Sequence, residues 1–449
     1  MSRSIVEAVA QIKRNVAEFL TAESILQACR DAGHTWRERE LGPATTVWAF
    51  LLQVLYGNTS CAHAVRLAGL RCSAEAYCAA RARLPLAALE SLLERTTRAA
   101  RGGDHGPRWI GHRTFFVDGS GCSMPDTVEL QNHFGQPGQQ RRGCGFPQAH
   151  LLAMFDAATG LVVKLLAAPL RTHDQSQVAQ LHPELAAGDV VVGDRGFASY
   201  VHLALIFLQN MHAVFRAHQR QLVSFRRDRR LSGPQPRGTV ALYANSRLIR
   251  KFGRFDQLVE YVKPPQCPDW LDAAAFAALP ETMLVRELRY RTGVRGFRSR
   301  VITLVTTLLD AERYPLEELA ALYRRRWEIE TNFAHLKTTM KMDVLRCQSV
   351  SGVLKELTMF ALVYNLVRLV MVRAARLMEI PVERLSFIDA LRWLAEACQR
   401  RTALVLRVNP LRPHRLEPRV RKRRPKEFSL MKSPRRQLRQ QLLAQRLTA

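Results

Sequence analysis

Three acidic residues and three companions are the parts of this sequence best suited to do chemistry. Asp118 follows the apolar run in FFVDGS, and Asp194 follows the one in VVVGDRGF. A carboxylate just past a buried strand is held by a rigid sheet yet reaches the surface, where a metal ligand is most useful. Either aspartate taken alone reads equally well as the start of a turn. Two of them at the ends of strands expected to be neighbours favour a ligand role. The third element is LYRRRWEIETNFAHLK, which fits Y-x2-R-x3-E-x6-K through Tyr323, Arg326, Glu330 and Lys337. At about 100° per residue these four side chains fall within roughly 60° of helix surface, while Glu328 points roughly 160° away from Glu330. Geometry therefore selects Glu330 as the acidic member. The competing reading is an ordinary amphipathic helix laced with salt bridges.

The elements that must carry these residues follow from periodicity. Residues 1–105 read as helices, with apolar positions three and four apart in LGPATTVWAFLLQVLYG and LAALESLLERTTRAAR. A Gly/Pro-rich break at 102–109 follows. RTFFVDGS, AHLLAMFD and LVVKLLAAPL are strand-like, the last two joined by a short turn at 157–160. A helix over 174–185, the strand DVVVGD, a helix over 199–209 and the strand HAVFRA come next. From 217 to 300 short β-type runs form an insertion opened by the basic loop RRDRRLSGPQPRG. A long helix is expected over 315–342, its stripe of Leu322, Ile329, Phe333, Leu336 and Met340 facing the sheet. Helices near 353–378 and 386–400 precede a tail rich in arginine and proline, expected to be extended when free. The domain expectation is 1–105, a helical DNA-binding unit; 106–216 with 301–378, the core; 217–300, the insertion; 379–449, the C-terminal helices and basic tail.

Composition narrows the partners. The formal net charge is +28 over 449 residues, an excess that points to a polyanion, through release of its counterions. The nine cysteines are scattered with no C-x-x-C pair, which speaks against a structural zinc site and suits a reducing cytosol. The stretch from Leu357 to Val372, interrupted by Asn365 and Arg368, reads as a buried helix too short and polar to cross a membrane. An intracellular location without membrane attachment is expected.

In AYCAARARLP, FFVDGS, GFPQAHLLAMFDAATG, RTHDQSQ, VVGDRGF and above all the Y-x2-R-x3-E-x6-K helix, matched without substitution, the sequence resembles the insertion-sequence-4 family of DDE transposases. That resemblance implies an α/β fold with a ribonuclease-H-like catalytic core interrupted by a β insertion. It implies Asp118, Asp194 and Glu330 as catalytic, metal-binding triad, with Tyr323, Arg326 and Lys337 as its accompanying residues; sharing the Glu330 face, Arg326 and Lys337 are placed to contact DNA phosphates, and Tyr323 either donates to a phosphate or only packs beside the helix. It also implies cleavage and strand transfer at transposon ends. The residue types suit that chemistry: two Mg²⁺ ions about 4 Å apart, with Mn²⁺ as a substitute, activate a water and stabilise the leaving 3′ oxygen, and Mg²⁺ prefers hard oxygen ligands. Arginine suits bidentate phosphate contact, lysine a point charge.

Expected partners are double-stranded DNA, as inverted-repeat ends and target, and a second copy of the chain on that DNA, in the bacterial cytoplasm at the nucleoid. Arg226 and Arg227, with Arg229 and Arg230, form one basic cluster. Arg419, Arg421, Lys422, Arg423 and Arg424 form another; both suit phosphate contact. Trp327 is expected in the core, with base stacking as its alternative. Trp270 is the one tryptophan in the insertion, where hairpin-forming relatives use an aromatic to trap a flipped base. His173 and Asp174 either line the site or belong to a helix cap formed by Thr172 or Asp174. Asp189 reads as a turn residue. Competing functions are a nuclease without strand transfer and a catalytically inactive DNA-binding regulator.

Overall fold

The computed structural model of the chain describes residues 20–101, 108–138, 141, 143–218, 221, 223–226, 235–237, 240–242, 246–292, 300–395, 408–409 and 433–447. The N-terminal part is helical as expected: α1 (Ala22–Asp31), α2 (Pro43–Leu55), α3 (Cys61–Leu67), α4 (Ala74–Arg83) and α5 (Leu86–Arg101). Local signals set the starts. Thr21 Oγ1 accepts from the Ser24 N–H at 3.0 Å at the head of α1, and α2 begins on Pro43, where a missing N–H costs nothing.

Beyond the break come β1 (Thr114–Ser123), α6 (Val128–Phe134), β2 (Gln148–Asp156), β3 (Val162–Pro169), α7 (Asp174–Val178), β4 (Val190–Gly193), α8 (Tyr200–Leu208) and β5 (His212–Arg216). The helix expected over 174–185 is a single α-helical stretch that tightens into 3₁₀ form over Ala179–Glu184, with Pro183 inside it; proline supplies no N–H there. The next stretch holds a two-stranded ribbon, β6 (Gln235–Arg237) with β7 (Val240–Leu242). It continues with β8 (Ser246–Gly253), β9 (Asp256–Val262), α9 (Ala273–Ala277), β10 (Thr282–Thr292) and β11 (Arg300–Thr306).

Among the described residues one nine-stranded sheet carries all the strands but the ribbon, in the order β3-β2-β1-β4-β5-β11-β10-β9-β8. The β-rich stretch is mostly β as its pattern suggests, but β8 to β10 extend the central sheet instead of folding apart. β11 returns antiparallel beside β5, with Val305 opposite Phe215. Strands β1 to β3 are antiparallel neighbours, and β4 and β5 run parallel to β1.

The last part comprises α10 (Leu316–Arg325), α11 (Trp327–Ala334), a π-turn over His335–Thr339, α12 (Val350–Met378), α13 (Phe387–Ala395) and α14 (Arg435–Leu447). The tail expected to be extended thus ends in a helix. Arg419, Arg421, Lys422, Arg423 and Arg424 lie outside the described residues.

Each sheet face covers its own core. Phe116, Ala153, Phe155 and Val162 face the N-terminal helices and α12; Phe115, Val117, Leu152 and Met154 face α8. This alternation along β1 and β2 is the period-two signature of strands buried on both sides. Helix α12 is longer than its apolar run suggested, and long and apolar enough to span a bilayer, yet 83 % of its most apolar window is buried in the fold. Its two polar interruptions explain themselves. Asn365 accepts from the Val162 N–H at 2.8 Å and donates to Val162 O at 2.9 Å, pairing with the edge strand β3. Arg368 donates through Nε and Nη2 to Thr159 O at 2.9 and 2.6 Å, fastening α12 to the β2–β3 turn.

Candidate active site

Register brings the two aspartates together. Val117 on β1 lies opposite Gly193, the last residue of β4, so Asp118 and Asp194 are level on adjacent parallel strands. Asp118 is not at a strand end, as its context suggested: β1 runs on to Ser123 along β2, and only its pairing with β4 stops at Val117. Asp194 does end its strand, and its Oδ1 accepts from the Gly196 N–H at 2.7 Å, capping the short 3₁₀ turn Arg195–Phe197. Gly193 leaves room for the Phe197 ring, which a Cβ would meet at 2.8 Å.

The helix that brings the third carboxylate is broken twice. Arg326 closes a tight turn, its N–H bonding Tyr323 O at 3.2 Å and its carbonyl accepting from Ile329 N at 3.1 Å. The π-turn at 335–339 then widens the spiral. Neither break disturbs the apolar stripe: Leu322, Ile329, Phe333, Leu336 and Met340 are all buried, with Phe333 edge-on to Phe155 of β2 at 5.6 Å between ring centres. The opposite edge of the helix faces the aspartates.

At that edge Arg326 is the centre. Its Nη1 donates to Asp118 Oδ2 at 2.9 Å, and its Nη2 stands 3.6 Å from Glu330 Oε1. The charge of Asp194 acts on it as well. Its Nε is buried without a hydrogen-bond partner among the described residues. Burial pushes the Asp118 carboxyl up to about 6, helped by the negative charges of Asp194 and Asp174 and opposed by Arg326 and the Gly119 N–H. Glu330 is half-exposed, at 49 %, on the open side of the cleft.

The companions divide. Tyr323 is buried, its ring beside the Arg326 guanidinium at 5.8 Å; burial raises its hydroxyl pKa, keeping it a donor. Lys337, inside the π-turn, reaches Ser120 Oγ at 3.3 Å on β1 and Asp343 Oδ1 at 3.6 Å. Glu328 faces away, in a 2.8 Å pair with Arg325. Trp327, expected in the core, is 49 % exposed, because the tightened turn at Arg326 leaves it on the solvent flank. Trp270 packs, partly buried, on the α8-side core. Arg226 is exposed, and Arg227, Arg229 and Arg230 lie outside the described residues.

Two residues read as local structure do more than that. Asp189 holds its turn as expected, its Oδ2 accepting from the Ala186 N–H at 2.8 Å, and it is also buried and takes both Nε (2.8 Å) and Nη2 (2.6 Å) of Arg113. His173, not Thr172 or Asp174, caps α7, which frees Asp174 to accept from His150 Nε2 at 2.6 Å. His150 had no signal in the sequence beyond a polar residue within an apolar strand.

Chemically the cleft offers only oxygen donors, of the hard kind that Mg²⁺ and Mn²⁺ take. Two carboxylates far apart in sequence, Asp118 and Glu330, already share one cation, the Arg326 guanidinium, and the charge of Asp194 acts on it as well. Among the described residues no three Asp, Glu, His or Cys side chains converge tightly enough to hold a metal ion as they stand. Arg326 stands between Asp118 and Glu330, so closer convergence requires it to withdraw.

The profile of the family described as "Transposase DDE domain" matches residues 109–366, from just before β1 into α12. The transposase InsG of insertion sequence element IS4 from Escherichia coli K12 is 24 % identical over 377 residues, covering 80 % of this chain and 77 % of that protein. A piggyBac transposase synaptic complex with hairpin DNA aligns over 86 % of this chain and 79 % of its own, at 11 % identity and a TM-score of 0.44. Matched by the profile over more than half its length, the chain belongs to the DDE transposases, as a member of the insertion-sequence-4 family.

Proposed function

We propose that this DNA transposase cuts and joins transposon ends in the cleft between β1, β4 and α11, with Asp118, Asp194 and Glu330 holding two Mg²⁺ ions that Mn²⁺ can replace. The observation that carries the reading is the shared cation: one guanidinium is bonded to Asp118 and lies within salt-bridge distance of Glu330, with the charge of Asp194 acting on it. Carboxylates that neutralise a built-in cation are placed to attract a divalent one, since unneutralised they repel each other. When bound, such ions activate water and stabilise the leaving 3′ oxygen. The order β3-β2-β1-β4-β5, with three antiparallel strands followed by two parallel ones, supports a ribonuclease-H-like core.

The chain's own residues then bind and orient. Once Arg326 turns from Asp118 it has a planar fork for a phosphate flanking the cut, and Lys337 has a point charge beside Ser120. Tyr323 holds the Arg326 side chain in place and offers a hydroxyl donor. The exposure of Trp327 favours stacking on a base over core packing. Arg226, Arg227 and the basic tail contact phosphates without reading sequence. Residues 1–105 bind the ends, 217–300 form the insertion, and 379–449 add helices and a basic arm. A homodimer assembles on paired ends, in the bacterial cytoplasm at the nucleoid.

The test is cleavage and 3′-end joining with inverted-repeat DNA in Mg²⁺. Asp118→Ala, Asp194→Ala and Glu330→Ala should each abolish cutting and leave end binding in EDTA intact. Normal cutting by any one of the three would refute the assignment.

A further inference from the structure

Next to the cleft stands a pair of side chains with no part in that scheme. Asp174 opens α7 just after its cap, His173, and its Oδ1 is bonded to His150 Nε2 at 2.6 Å. His150 lies on β2 opposite Gly121, so a strand side chain ties the head of α7 to the sheet. The approach depends on glycine at 119. A Cβ there would stand 2.7 Å from Asp174 Oδ1 and 3.0 Å from His150 Cε1, closer than non-bonded atoms allow.

The other oxygen of Asp174 faces the turn that carries Asp194. A Cβ on Gly196 would lie 3.0 Å from Asp194 Oδ1 and 3.6 Å from Asp174 Oδ2, so both carboxylates border one small space. The neighbouring Gln175 donates its Nε2 to Gly196 O at 2.9 Å, gripping the same turn. Alternation along β1 sends Asp118 and Gly119 to opposite faces. Asp174 therefore approaches from the face Asp118 does not use and meets the cleft at the Asp194 turn, near enough for its charge to act on Asp118. A helix-capping role accounts for none of this, because the cap is another residue.

We infer that Asp174, oriented by His150, is a fourth carboxylate of the cleft, a positioning residue that strengthens divalent-cation binding while Gln175 steadies the Asp194 turn. The inference rests on the reading of Asp118, Asp194 and Glu330 as cation ligands. Its physical basis is that carboxylates outside the ligand shell add negative charge and accept from cation-bound water, which Mg²⁺ and Mn²⁺ retain. With Oδ1 committed to His150, Oδ2 is the oxygen left for that role.

The experiment is Mn²⁺ binding to the full chain without DNA, followed by electron paramagnetic resonance of the free ion near neutral pH. Asp174→Asn, almost the same size, should weaken binding about tenfold, within the range for outer partners of metal sites, with unchanged circular dichroism and unchanged end binding in EDTA. His150→Leu, which keeps the carboxylate but frees it, should weaken binding less, in the same direction. Asp118→Asn is measured alongside. Parental affinity in Asp174→Asn with loss in Asp118→Asn overturns the fourth carboxylate and leaves the cleft standing. Parental affinity in both overturns the cleft as a cation site, and this inference with it. If Asp174→Asn does not fold, His150→Leu decides, and parental affinity there overturns the inference.

Discussion

Arg326 Nη1 donates to Asp118 Oδ2 at 2.9 Å, joining residues 208 positions apart. Once the guanidinium turns from Asp118 it presents a planar fork to a phosphate flanking the cut, which a lysine cannot reproduce because its ammonium is a point charge. Arg326→Lys should lower the cleavage rate by about a hundredfold, the usual loss when a donor to developing charge is removed. End binding in EDTA should fall only slightly. Single-turnover cleavage beside gel-shift titration checks both, and parental cleavage would show that the fork is dispensable.

Glu328 and Glu330 are two residues apart and oppositely committed. Glu328 pairs with Arg325 at 2.8 Å, whereas Glu330 faces the cleft. Glu328→Ala should cut at near the parental rate with slightly reduced thermal stability. An essential Glu328 beside a dispensable Glu330 would reverse the assignment of the third carboxylate.

Asn365 is fully buried and makes three hydrogen bonds, two to the Val162 backbone and one to Thr96 Oγ1 at 3.2 Å. Asn365→Leu should destabilise the fold by about 1–3 kcal/mol, because it leaves the Val162 groups buried and unpaired. Denaturant unfolding monitors this, and an unchanged midpoint would show the edge strand needs no such partner.

Acid should loosen the support beneath Asp194. His202 is fully buried, bonded to Phe197 O at 2.9 Å and 3.2 Å from His182. Burial, with His182 adding to it, lowers His202 to about 3, and burial lowers His182 to about 4. Both folded values lie below the ordinary 6.5, so the unfolded chain takes up protons first as pH falls. Their contribution to stability is complete above about 6.5 and declines toward pH 4 and below. Thermal melts should drop across that window, and His182→Asn should drop less steeply. Identical slopes would remove the pair as the cause.

Much of this site was legible because its signals are local. Strands betray themselves by period two, and Asp118 and Asp194 each follow an apolar run; Glu330 was distinguished from Glu328 by the helical period alone. The apolar stripe on α10 and α11 follows the same period. Trp327 was misjudged because the wheel assumed one regular helix. The tight turn at Arg326 and the π-turn after it are not written in side-chain periodicity. His150 was missed since a lone histidine in a strand announces nothing until its partner is known.

Sequence alone determined that acidic residues follow two apolar strand runs and stand on a helix face, and the basic charge that suits a polyanion. Those properties reside in short windows of chain, where sterics and hydrophobic period act. The tertiary structure decided the rest: the level register of β1 and β4, the extension of the central sheet by β8 to β11, the Arg326 bridge to Asp118, and the glycine-cleared approach of Asp174. Each depends on packing between segments far apart in the chain, where geometry is set by the joint burial of surfaces that no single window contains.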